Sequence, residues 1–94
     1  MDPTKQAIYE CIQAAFADAG LNPITSPAQV INWPPIPDDV QTQIAISIRD
    51  CVKAKLGKDI GGLVGVILAA AQMEPAMPVS DLIEIVNQLV PSQD

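Results

Sequence analysis

The sequence predicts an all-α fold, a small bundle of four main helices with a long Pro-rich, Trp-containing connector between helices 1 and 2. Apolar residues recur at three- and four-residue spacing in four separate segments, as they do in amphipathic helices. Prolines or glycines separate those segments. The alternation of apolar and polar residues that is typical of strands is brief, at residues 44–48, so no strand is expected. A chain of 94 residues is expected to form one domain over residues 1–94.

The first helix is predicted over residues 3–19. Asp2 can cap its N-terminus, and Pro3 suits the first helical position. Gly20 can adopt the left-handed conformation that ends a helix. The expected buried stripe is Ile8, Ile12, Ala15, Phe16 and Ala19.

The connector covers residues 21–36, and its four prolines prevent a continuous helix. A short helical turn is possible at 26–32. The segment is too apolar for a free linker, so we expect Trp33 to dock over the helices. The alternative is that an exposed Trp33 anchors a partner protein, because Trp is enriched among interface hot spots.

The second helix is predicted over residues 37–56, with Asp38 and Asp39 in its first turn, where negative charge opposes the positive end of the helix dipole. Gly57 is expected to end it. The expected buried stripe is Val40, Ile44, Ile48, Cys51, Val52 and Leu56.

The third helix is predicted over residues 61–73, and it is apolar on nearly every side. A helix without a polar face lies inside a domain or inside an oligomer. Gly61, Gly65 and Ala69 follow one another at four-residue spacing. These small residues form a groove against which another helix could lie closely.

The fourth helix is predicted over residues 81–90, with Ser80 as its N-cap and a frayed tail at 91–94. One apolar stripe comprises Leu82, Ile85, Val86 and Leu89. Ile83 and Val90, seven residues apart, form a second stripe. A helix with two stripes has more apolar surface than one neighbour covers.

The side chains predict no catalytic centre, no metal site and no cofactor. The chain has no histidine, the commonest general base and metal ligand. Cys11 and Cys51 stand far apart and are expected to be small buried residues with reduced thiols. The carboxylates do not follow the spacing of a calcium loop. We therefore expect a protein that is not an enzyme.

The formal net charge of −6 disfavours nucleic acid and anionic membranes as partners. The longest apolar run, residues 61–73, is too short to span a membrane. The first ten residues lack the features of a signal peptide, so a cytoplasmic location is expected. Four of the five basic residues lie close together: Arg49, Lys53, Lys55 and Lys58. They either complement the helix dipole or form a basic patch for a partner.

These patterns favour a non-catalytic protein–protein interaction or assembly module that associates with itself through the apolar helices 3 and 4. A homo-oligomer is the expected state. The candidate interaction residues are Trp33, Arg49, Lys53, Gly61, Gly65, Ala69, Ile83 and Val90.

The alternative is an acyl-carrier-like or small-ligand-binding helical module. The helix layout and the ending "MPVSDLIEIVNQLV" resemble acyl carrier proteins. The resemblance implies a prosthetic group on a serine in an Asp-Ser-Leu motif that opens the second helix. Residues 36–41 read "IPDDVQ" at that place, and Ser80 opens a different helix. The attachment site of the family therefore has no counterpart in this chain. A small ligand would instead bind in a cavity between helices 3 and 4, with Arg49 and Lys53 at its rim.

Overall fold

The computed structural model describes residues 2–90, and it is mostly helical, with four helices and a small two-stranded sheet. The four helices lie where the sequence predicts them, with ends that differ by one or two residues. The elements in chain order are α1 (Pro3–Asp18), β1 (Val30–Asn32), α2 (Asp38–Leu56), α3 (Leu63–Met73), β2 (Ala76–Pro78) and α4 (Val79–Leu89).

Local chemistry fixes the ends of the first two helices. The Asp2 carboxylate accepts a hydrogen bond from the Lys5 backbone N–H at 2.8 Å, which satisfies a donor that the first turn leaves unpaired. Gly20 and Gly57 have φ angles of 73° and 67°, in the left-handed region that glycine enters without strain. The predicted caps of α1 and stop of α2 are confirmed.

The core is built around the contact between α1 and α2. α4 packs on α1, and α3 packs on α2. Trp33 is buried with 1% of its surface exposed. Its ring meets Phe16 edge-on, with centroids 6.0 Å apart and an interplanar angle of 61°. The bulky fully buried residues other than Trp33 are aliphatic or Met: Ile8, Ile12, Ile44, Ile48, Val52, Leu63, Ile67, Met77, Val79, Leu82 and Val86.

The expectation of no strand is wrong. β1 pairs with β2 in an antiparallel ladder in which Ile31 lies opposite Met77. Both strands lie in segments where prolines prevent a helix, so their main-chain groups find partners across the chain instead. A strand of three residues is too short for its alternation to be visible in the sequence. The possible helical turn at 26–32 reduces to a turn closed by the Gln29 N–H on the Ser26 carbonyl.

The start of α4 also differs from the prediction. The helix begins at Val79, and the Ser80 side chain does not cap it. The backbone N–H groups of Val79 and Ser80 instead donate to the carbonyls of Gln29 (2.8 Å) and Pro27 (2.9 Å). These main-chain carbonyls thus accept the hydrogen bonds that an N-cap side chain accepts in other helices.

The prediction of reduced thiols is wrong in this structure, because Cys11 and Cys51 form a disulfide that joins α1 to α2. Their Cα atoms are 5.5 Å apart, within the ordinary range for such a bond. Cys11 lies on the buried face of α1, and Cys51 is half-buried on α2. The packing of the two helices therefore brings together two residues that are 40 positions apart in sequence.

We expect reduction of this disulfide to lower the free energy of unfolding by about 4 kcal/mol, because the bond closes a long loop in the unfolded chain. Urea unfolding with and without dithiothreitol measures the loss. The double variant Cys11→Ala/Cys51→Ala is the control, and dithiothreitol should not move its unfolding midpoint. Equal midpoints for the oxidised and reduced natural chain would contradict the expectation.

Candidate interaction surface

α3 has one face in the core and one face open to solvent. Leu63, Ile67 and Ala71 are buried against the rest of the protein. The opposite face, hereafter the α3 outer face, is exposed and comprises Gly65, Val66, Ala69, Gln72 and Met73.

The α3 outer face carries no charged side chain. Met73 is 85% exposed and Val66 is 37% exposed, which makes them two of the exposed large apolar residues of the described chain. Exposed helix faces are ordinarily covered with charged and polar residues, whereas here Gln72 is the sole polar member. The apolar surplus that the sequence predicts for this helix is therefore present on the surface of the single chain.

The small residues of this region leave open space beside the helix. A Cβ atom built on Gly61 or Gly65 would meet nothing within 4 Å. Ala69 is likewise exposed. No part of residues 2–90 fills this strip, so another helix can approach it closely.

The structure buries other predicted interaction residues. Trp33 and Ile83 are 1% and 3% exposed, so neither offers surface to a partner in this conformation. Ile83 is in the core because α4 contacts both α1 and α3. Val90 is half-buried at the edge of the same core. The predicted second stripe of α4 is thus not an exposed surface.

The basic cluster is partly neutralised by carboxylates of the same chain. Arg49 Nε lies 3.2 Å from Asp50 Oδ1, and Lys55 Nζ lies 3.3 Å from Glu10 Oε1, which links α2 to α1. Exposed pairs of this kind contribute little to stability. Lys53 is exposed and has no ion pair with another residue of 2–90. Lys53, which follows the paired Arg49, is therefore the first residue of the predicted basic patch whose positive charge is available to a partner.

The end of α3 carries an acidic pair, formed by Glu74 and Asp81. Glu74 follows the last residue of α3, and Asp81 lies in the first turn of α4. A hydrogen bond with the Asp81 carboxyl raises the pKa of Glu74 above its ordinary value, with smaller contributions from desolvation and charge repulsion. A positively charged group of a partner molecule would reduce the repulsion between the Glu74 and Asp81 carboxylates.

The structure also shows features that sequence reasoning missed. A cavity of about 340 Å³ lies beside β1 and the segments around it, not between α3 and α4. Its lining comes from residues 16–37, most of them in a stretch that lacks the helical periodicity from which sequence reasoning starts. Residues 2–90 contain no cluster of three or more His, Cys, Asp or Glu side chains placed to hold a metal ion. The helices of this part of the chain include none with the length and apolar character to cross a membrane.

The acidic pair leads to a pH prediction. Because the fold raises the pKa of Glu74, its stabilising effect is complete below the ordinary value of 4.5 and is lost as pH rises through the raised value. We therefore expect Glu74→Gln to unfold at a higher temperature than the natural chain above that range, with no advantage below it. Thermal unfolding followed by circular dichroism from pH 3 to pH 8 measures this.

Glu10→Gln is the matched control for the acidic pair. Hydrogen bonds from Gln6 and Lys55 lower the pKa of Glu10, so its stabilising effect is present above its ordinary value and is lost as pH falls. The two variants should therefore change the pH dependence of the melting temperature in opposite directions. Parallel changes would contradict the assigned roles.

A scan against protein-family models and searches of curated proteins and of solved structures find no match to this chain. The resemblance to acyl carrier proteins therefore rests on the helix layout and the fourth-helix segment alone.

Proposed function

We propose that this chain is a non-catalytic assembly module that associates with a second copy of itself through the α3 outer face. The observation that carries this proposal is an exposed helix face without any charge, with Met73 at 85% exposure. Exposed apolar patches of this kind mark interaction sites more often than ordinary surface. The proposed contact does not include α4, because Ile83 is in the core.

A second copy suits this face for a geometric reason. A two-fold axis places the same patch of each protomer against itself. Gly65 and Ala69 let two helix backbones approach closely, while Val66 and Met73 supply the large apolar side chains. Each copy therefore presents both small residues and the side chains that pack beside them.

Charge complementarity favours an antiparallel arrangement of the two α3 helices. The chain enters α3 from the basic C-terminal half of α2, which includes Lys53. It leaves α3 at the acidic pair of Glu74 and Asp81. In an antiparallel arrangement, the basic C-terminal half of α2 in one protomer lies toward the acidic pair of its partner. The dipoles of the two α3 helices also interact favourably when the helices are antiparallel.

The energetics support a concentration-dependent dimer. Burial of Met73, which is 85% exposed, contributes roughly 1.5–3 kcal/mol, whereas Val66, which is 37% exposed, contributes only a fraction of that. Two copies of each oppose an association cost of roughly 4–15 kcal/mol. The balance is small, so we expect weak association, with a dissociation constant in the millimolar range.

The ligand-binding alternative receives less support. The cavity of about 340 Å³ is lined by residues of α1 and of the segment between α1 and α2, and neither Arg49 nor Lys53 lies at its rim. An acyl-carrier role would need an attachment serine, and the start of α2 reads Asp38, Asp39, Val40.

A cytoplasmic location stays a prediction, and the Cys11–Cys51 disulfide weighs against it. Thiols stay reduced in most cytosols, whereas disulfides persist in oxidising compartments. Intact mass after alkylation of the protein from its native cells decides the matter. Two labels would support the cytoplasm, and none would support an oxidising compartment.

We expect Ala69→Glu to weaken self-association at least tenfold, because each protomer would bring an unpaired carboxylate into the apolar contact. Sedimentation equilibrium across micromolar to millimolar concentrations measures the dissociation constant. Ala17→Glu is the matched control, since it adds the same charge at an exposed alanine of α1 and should leave association unchanged.

Circular dichroism checks that both variants keep the helical content of the natural chain. A natural chain that stays strictly monomeric at millimolar concentration would overturn the proposal. Equal weakening by the two variants would show that net charge, and not the α3 outer face, controls association.

A further inference from the structure

The outer edge of β1 has main-chain groups that the small sheet does not use. Val79 N–H bonds to the Gln29 carbonyl, and Trp33 N–H bonds to the Pro75 carbonyl. Hydrogen-bonded residues alternate along an antiparallel ladder, so Ile31 bonds to β2 while Val30 and Asn32 direct their N–H and C=O groups to the opposite side. β1 thus has an open edge of two donors and two acceptors.

A groove runs along this open edge. The cavity of about 340 Å³ is lined by β1 and by the segments that precede and follow it, including Leu21, Ile24 and Ile36. No residue of β2 lines it, which places it on the side of β1 that faces away from β2. Its lining contains no charged side chain and combines apolar side chains with the polar side chains of Asn22, Gln29 and Asn32, beside a row of backbone groups.

The two edges of the sheet differ in their protection. On β2, Pro78 lies at an outward-facing position and has no N–H to offer. β1 has no proline, no lysine and no bulge among its three residues, and Val30 is 48% exposed. Natural proteins ordinarily block a strand edge that is not used.

We propose that this groove binds an extended segment of a partner protein, which adds a third strand beside β1 and places an apolar side chain in the cavity. The unpaired N–H and C=O groups of Val30 and Asn32 select a ligand with a free peptide backbone. This role is separate from self-association through the α3 outer face and does not depend on it.

The charge beside the groove indicates the class of partner. Asp38 and Asp39 follow Pro37, a residue that lines the groove, and both are exposed. A second copy would bring its own exposed Asp38 and Asp39 and therefore lacks complementary charge. An apolar segment flanked by Lys or Arg therefore complements the site better than one flanked by acidic residues.

The probe is a synthetic peptide of sequence Lys-Val-Thr-Val-Lys with blocked ends, added to the full oxidised chain labelled with ¹⁵N. We expect saturable shifts of the amide resonances of Val30 and Asn32. The matched control peptide has the same side chains but carries N-methyl groups on two adjacent residues, which blocks both of its edges. We expect it to bind at least tenfold more weakly, and the same peptide with Glu at both ends to bind more weakly as well.

Protein variants test the edge from the other side. Val30→Pro removes an N–H that the fold does not use, and it should abolish peptide binding, whereas Val30→Thr keeps the N–H and should retain it. The methylated peptide keeps the test valid if Val30→Pro does not fold.

Three results would overturn the proposal. They are absence of shifts at millimolar peptide, equal affinity of the methylated peptide, and shifts of Val30 and Asn32 that depend on protein concentration without peptide. The last result would assign the edge to a second copy. Equal binding of the Glu-flanked peptide would contradict the inference that the partner segment is flanked by Lys or Arg.

Discussion

The contact between α1 and α2 is the constraint on which the rest of the structure depends. These are the two longest helices, of 16 and 19 residues, and the Cys11–Cys51 bond joins them. The other two helices are each placed by one of the two: α4 lies on α1, and α3 lies on α2. Trp33, which follows β1, docks against Phe16 of α1. A small domain buries a limited share of its surface, so a covalent link at its central contact compensates for a modest core.

The positions of the helices could be read from the sequence because the signals are local. Asp2, Gly20 and Gly57 act within one turn of the residues that they cap. The strands and the disulfide could not be read in this way. Ile31 meets Met77, and Cys11 meets Cys51, only after the helices have packed. The residues next to each of these four in sequence do not indicate which distant residue it contacts.

The candidate surface was only half predictable, for a related reason. The apolar character of α3 and the spacing of Gly65 and Ala69 are visible in the sequence. Which side of the helix faces solvent is not, because no polar stripe marks it. The same ambiguity affects Ile83, whose place in the core depends on contacts of α4 with two other helices. Where a helix is apolar on most sides, only its neighbours determine the exposed side.

The start of α4 has a consequence for how the domain opens. The backbone N–H groups of Val79 and Ser80 donate to the carbonyls of Gln29 and Pro27, which lie 50 and 53 positions earlier in the chain. If the segment that contains Pro27 and Gln29 detaches, the first turn of α4 loses these hydrogen bonds. If α4 unfolds, the carbonyls of Pro27 and Gln29 lose their donors. The two parts therefore belong to one cooperative unit, which opens and closes as a whole rather than fraying from either side.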